Sequence, residues 1–118
     1  MKKLATRLMA VVFGMFLLHA NVASAATLSS TTTVISIQIL NNNAFIQFSS
    51  QPTGKPTACA GNNWAAFAIN NDAGKAMLST VQSTFLSGKR LALYWGTTCI
   101  TGNDGVGYPA IVGLNYFN

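Results

Sequence analysis

An uninterrupted apolar run, Leu8 to Leu18 (LMAVVFGMFLL), follows Met1-Lys2-Lys3 and Arg7 and precedes the small-residue triplet Ala23-Ser24-Ala25. A basic start, a short apolar middle and a small-residue close are the pattern of an export signal. The run would cover roughly half of a bilayer's hydrocarbon core, too little for a retained, stable membrane insertion. The pattern predicts cleavage after Ala25 and export to the periplasm or the extracellular space. A single domain, Ala26 to Asn118, is then left to fold in an oxidising compartment. A domain of that size buries a small core and has a narrow stability margin.

Setting the signal aside changes the chemistry of what remains. The full chain carries a formal charge of +5, but Lys2, Lys3 and Arg7 belong to the signal. Lys55, Lys75, Lys89 and Arg90 then stand against Asp72 and Asp104, a net of +2. With no basic run, a nucleic-acid or anionic-membrane partner has little electrostatic support. Lys89-Arg90 reads as the solvated start of a strand. The single histidine, His19, also lies in the signal, and the chain has no glutamate. Metal sites draw on His, Cys and carboxylates, and general acid–base catalysis on His, Glu or Asp. No metal site, cofactor or catalytic residue is expected, and the composition points to a binding or structural protein and away from an enzyme. A hydrolase using Ser, Lys or Asp is a further alternative, although nothing marks one serine among many.

Cys59 and Cys99 are the only cysteines. In an exported chain they read as one disulfide, worth about 4 kcal/mol in the chain-entropy account.

Hydrophobic periodicity orders the rest. Ala26 to Thr32 reads as a polar, flexible leader. From Thr33 to Leu40, Ile35, Ile37 and Ile39 share one face of a half-buried strand. A second strand, Ala44 to Ser49, is predicted to pair with it through a two-residue turn at Asn42-Asn43. That register sets Ile39 against Ile46, Gln38 against Gln47 and Ile37 against Phe48.

A loop with Pro52, Gly54, Lys55, Pro56, Cys59 and Gly61 leads to a third strand, Trp64 to Ile69. Phe67 and Ile69 lie on one of its faces. Trp64 shares the other only with Ala66 and Ala68, which leaves room for something to pack closely. Asp72 reads as the N-cap of one helix, with an apolar stripe of Met77, Leu78, Val81 and Phe85 and with Gly88 as its C′ residue. Leu91 to Trp95 is a fourth strand, with Leu91, Leu93 and Trp95 facing in. Gly96 to Pro109, holding Cys99, Asp104 and Tyr108, reads as a glycine-rich loop before a fifth strand, Ile111 to Phe117.

The order β-β-β-α-β-β predicts a mainly β fold with one helix, an OB-fold-like five-stranded Greek-key barrel. An open sheet crossed by one helix is the competing arrangement.

The segment from Asp72 to Cys99, DAGKAMLSTVQSTFLSGKRLALYWGTTC, resembles the helix–Gly-Lys–strand–Cys pattern of a group of small exported bacterial proteins. In element order the whole domain resembles the B subunits of subtilase-cytotoxin and pertussis-like (typhoid-toxin-type) toxins. The shared features are a Ser/Thr opening into VISIQI, a Cys-containing loop, a Trp, the helix, Ser-Gly-Lys into LYW, and the closing VGLNYF. The resemblance implies an OB-fold, a homopentameric ring, a catalytic A-type partner subunit, and binding of a sialylated glycan or glycoprotein receptor. It also implies site residues. Ser30 or Thr31 occupies the glycan-contacting position at the start of strand one, and Tyr94 or Trp95 the aromatic position after the helix. Lys55 is placed to meet a sialic carboxylate. A protein-binding module, such as an exported inhibitor or accessory subunit, is the alternative to glycan binding.

Overall fold

The alternating stretch around Ile37 forms β2 (Val34–Leu40) and the AFIQF run forms β3 (Asn43–Phe48) in a computed structural model that describes residues 26–117. The expected export segment, 1–25, lies outside the described residues. The turn between the two strands falls at Asn41-Asn42, with φ of 51° and 63°. Positive φ at both central residues is the mark of a type I′ hairpin turn, and asparagine tolerates it.

This is one residue earlier than the expected Asn42-Asn43. Ile37 therefore pairs with Ile46, Gln38 with Phe45 and Ile39 with Ala44. The register moves by two, an even step that keeps Ile37 and Ile39 on the same face as Ile46 and Ala44. The far end absorbs the difference in a bulge between Val34 and Ser36. Val34 is buried there, while Ile35 turns out to 51 % exposure. Of the three isoleucines expected to share a face, Ile37 is the one packed on the core.

β4 (Trp64–Ala68) pairs with β3. Ala65 and Phe67 enter the core with Ala44, Ile46 and Phe48, and Trp64 and Ala66 point the other way. α1 (Asp72–Ser87) then crosses the sheet. Its N-cap is Asn71, whose side-chain oxygen accepts from Gly74 N at 2.7 Å, so Asp72 is the first helical residue and not the expected cap. An oxygen at N-cap reaches the N3 amide, and one residue further along it cannot. Gly88 ends the helix at φ 69° as expected.

The buried stripe of α1 runs Gly74, Val81 and Thr84, with Met77 and Leu78 against the core. Phe85 is 43 % exposed, and Thr84 is the buried residue there, with its hydroxyl donating to Val81 O at 2.9 Å. A methyl group at position 74 would run into the carbonyl of Ala68. Glycine there is what lets the helix start so close to the end of β4.

The largest departure from expectation is after the helix. β5 runs Leu91–Thr101 and β6 runs Gly107–Tyr116, so most of the expected loop 96–109 is paired strand. Register shifts near Trp95 bend this hairpin. Its far end, where Cys99 pairs with Pro109, Ile100 with Tyr108 and Thr101 with Gly107, carries almost no apolar alternation in sequence. Cys59 and Cys99 form the expected disulfide.

Among the described residues the fold is mainly β with one helix, as expected, but the sheet has six strands in the order β1-β5-β6-β4-β3-β2. The extra strand is β1 (Thr27–Leu28), in the segment expected to be a flexible leader. It pairs with β5 by backbone bonds that a hydropathy pattern does not record. β1 and β2 end the sheet yet are consecutive in the chain. Between them Thr32 exchanges two backbone hydrogen bonds with Leu91 on β5, and Thr33 O accepts from Ser49 N beyond β3. Residues 32–33 thus bond to β5 on one side and to the exit of β3 on the other.

Candidate functional site

Residues 43–48 (NAFIQF) already break the pattern of a strand with one wet face. Ala44, Phe45 and Ile46 are all buried, so both faces of β3 are covered. Ala44 and Ile46 meet the core, while Phe45 shares the opposite face with Gln38 on β2 and Ala66 on β4, its partners across the sheet. The far end of the β5–β6 hairpin folds over that second face. Phe45 and Tyr108 meet edge to face at 5.4 Å between ring centroids, and Trp64 and Tyr108 lie 6.1 Å apart at 59°. The room that Ala66 and Ala68 leave beside Trp64 is thus bordered by Tyr108.

Between these elements lies a cleft of about 330 Å³, lined among others by Gln38, Phe45, Trp64, Asn103, Asp104 and Tyr108. The loop carrying Asn103 and Asp104 is held from three sides. Gly102 N donates to Val106 O, Asn41 Nδ2 donates to Asn103 Oδ1 at 3.1 Å, and Tyr108 Oη donates to Asp104 Oδ2 at 2.6 Å. Val106 N donates to the other carboxylate oxygen at 3.0 Å. The Tyr108 hydroxyl first, then the Val106 amide, hold the Asp104 carboxyl below its ordinary range. The same bond pushes the Tyr108 phenol up, because its proton is engaged by a carboxylate. The cleft therefore presents aromatic rings, two side-chain amides and one carboxylate.

The residues singled out by sequence lie elsewhere. Ser30 and Thr53 exchange hydrogen bonds, each backbone N–H donating to the other's hydroxyl oxygen. Trp95 Nε1 donates to Thr53 O at 2.7 Å, and Trp95 is 3 % exposed within the core. The structure brings Ser30 and Trp95 together around Thr53. Lys55 follows in the same loop, with its amine donating to Cys59 O at 2.9 Å. Tyr94 stands apart from the core residues Leu93 and Trp95 that flank it on β5. Its half-buried ring lies over Gly113. Thr31 is half-buried between the two strands that end the sheet.

Sequence reasoning missed Gln38, Phe45, Trp64, Asn103, Asp104 and Tyr108 as a group. The available signals were the apolar triplet at Ala44 to Ile46 and the empty face beside Trp64. The fold of residues 96–109, which supplies the other wall, has no such signal.

No helix among the described residues is long and apolar enough to cross a membrane. No protein-family model, no curated protein and no solved structure matches this chain.

Proposed function

We propose that the chain is an exported, non-catalytic glycan-binding protein built on an OB-type barrel, in which β1 and β2 act as one bent strand. The observation that carries the reading is the cleft walled by Trp64, Phe45 and Tyr108 with Gln38, Asn103 and Asp104 on its rim. A pyranose ring presents apolar C–H faces and a fringe of hydroxyls. Aromatic rings cover the first, and amide and carboxylate groups bond the second. A pocket with a few convergent polar groups on a rigid scaffold is the ordinary form of a small-ligand site.

The sheet order supports the barrel. Leaving β1 aside, strands one to five by sequence lie in the order 1-2-3-5-4, with one parallel contact between Ala66 and Ala110. The β1 segment brings the first strand back against the fourth. The disulfide and the N-terminal signal pattern support export. Absence of histidine and glutamate outside the signal supports a non-catalytic role. By resemblance, a homopentameric ring and a catalytic A-type partner belong to the same proposal. Light scattering on the purified protein checks the ring, and a strict monomer would remove it.

A broad glycan array probed with the oxidised protein tests the reading. We expect a defined set of binders and a loss of about tenfold or more in affinity for Trp64→Ala, equal to roughly 1.4 kcal/mol. Flat signals across the array, with one stoichiometric protein captured instead, would favour a protein-binding module. Retained binding in Trp64→Ala with loss in Tyr94→Ala would move the site to the residues that the resemblance points to.

A further inference from the structure

The cleft's charge balance narrows its ligand. We infer that it holds an uncharged terminal sugar and turns away an anionic one, in contrast to the sialic acid that the toxin resemblance implies. This rests on the glycan-binding reading above and concerns the same site.

Among the described residues that line the cleft there is one ionised group, Asp104, and no lysine or arginine. Lys55 lies outside that lining, with its amine on the Cys59 carbonyl. Each Asp104 oxygen accepts one hydrogen bond from the chain, from Tyr108 Oη and from Val106 N. A carboxylate has about four lone-pair positions, so acceptor capacity remains on both oxygens for the hydroxyls of a ligand. Two adjacent sugar hydroxyls match a pair of acceptor oxygens. A sialic carboxylate offers no proton to either and would bring like charge to a cleft without a cation.

The remaining lining also suits a neutral ring. Asn103 Oδ1 is engaged by Asn41, which leaves its amide N–H groups as donors, and Gln38 brings a donor and an acceptor. The Trp64 ring, tilted at 59° to Tyr108, adds an apolar surface to that lining.

Matched glycan pairs test the inference: neutral oligosaccharides ending in galactose, glucose, mannose or N-acetylglucosamine, and the same chains capped with sialic acid. We expect the best ligands to be neutral, and capping to weaken binding by about tenfold or more. Asp104→Asn should narrow that gap, and Trp64→Ala should weaken the neutral ligands with an unchanged Asp104 titration. Should Trp64→Ala fold poorly, Gln38→Ala at an exposed strand position takes its place. Equal or tighter binding of the capped chains overturns the inference and leaves glycan binding standing. So does neutral binding that none of these variants affects. If no glycan binds at all, the glycan-binding reading falls, and this inference with it.

Discussion

Ser29 shows how one side chain can stand in for a missing piece of backbone. Its own N–H donates to Leu93 O, and its hydroxyl oxygen accepts from Leu93 N at 2.8 Å. The hydroxyl thereby completes the pairing of the β1 segment with β5 in a place where Ser29 is buried. Ser29→Ala leaves the Leu93 amide without that partner, and the cost of a buried unsatisfied donor is about 2 kcal/mol. Urea unfolding should show that loss; an unchanged midpoint would mean that Leu93 N finds another acceptor. Asp104 allows a second check. Its carboxyl pKa is lowered in the folded state, so its contribution is complete above the unfolded value and is lost as pH falls through the lowered one. Tyr108→Phe removes the first cause and should bring the Asp104 pKa back up toward 3.8, read by carboxyl-carbon NMR titration. An unmoved titration would transfer the cause to the Val106 amide.

At the scale of elements, α1 offers a direct choice between two adjacent residues. Asn71 caps and Asp72 does not, so Asn71→Ala should cost about 1 kcal/mol. Asp72→Asn removes only a charge in the first turn and should cost about 0.5 kcal/mol. Thermal unfolding of the pair ranks them, and the reverse order would restore Asp72 as the cap. The same helix shows what periodicity can record. Met77, Leu78 and Val81 were legible because their spacing is that of a face. Asn71 was not, because three consecutive cap-forming residues offer more than one place to start. β2, β3, β4 and the opening of β5 were legible for the same reason as the helix. β1 and the far half of the β5–β6 hairpin were not, since they are held by backbone pairing and a disulfide and carry no apolar alternation. The site shared that fate. Trp64 and its empty face could be read, but the wall opposite rests on the fold of residues 96–109, where Tyr108 and Asp104 appeared as loop residues.

At the scale of the molecule, one covalent bond joins the small core to the cleft. Cys99 lies opposite Pro109 in the β5–β6 hairpin, and Cys59 belongs to the loop between β3 and β4. Next to that bond, Ala60 N donates to Gly107 O, and Gly61 leaves the space that the Tyr108 ring occupies. A side chain on Gly61 would meet that ring, and its φ of +82° also favours glycine. The loop 59–61 thus braces the hairpin end that carries Asp104 and Tyr108. The cysteines are 40 residues apart, so the bond is worth about 4 kcal/mol in the chain-entropy account. Its removal should act twice. Paired Cys59→Ser and Cys99→Ser substitutions should lower global stability by about that amount in guanidinium unfolding. Under native conditions the same protein should show faster hydrogen exchange at the 102–108 segment than the oxidised one. β2, β3 and α1, which are packed on the core away from the bond, should keep their protection relative to the new global limit. Ligand affinity should fall further than the global loss requires, because the protein that remains folded has lost one wall of its cleft. Exchange that accelerates uniformly, with affinity unchanged, would show that the disulfide stabilises the fold without shaping the site.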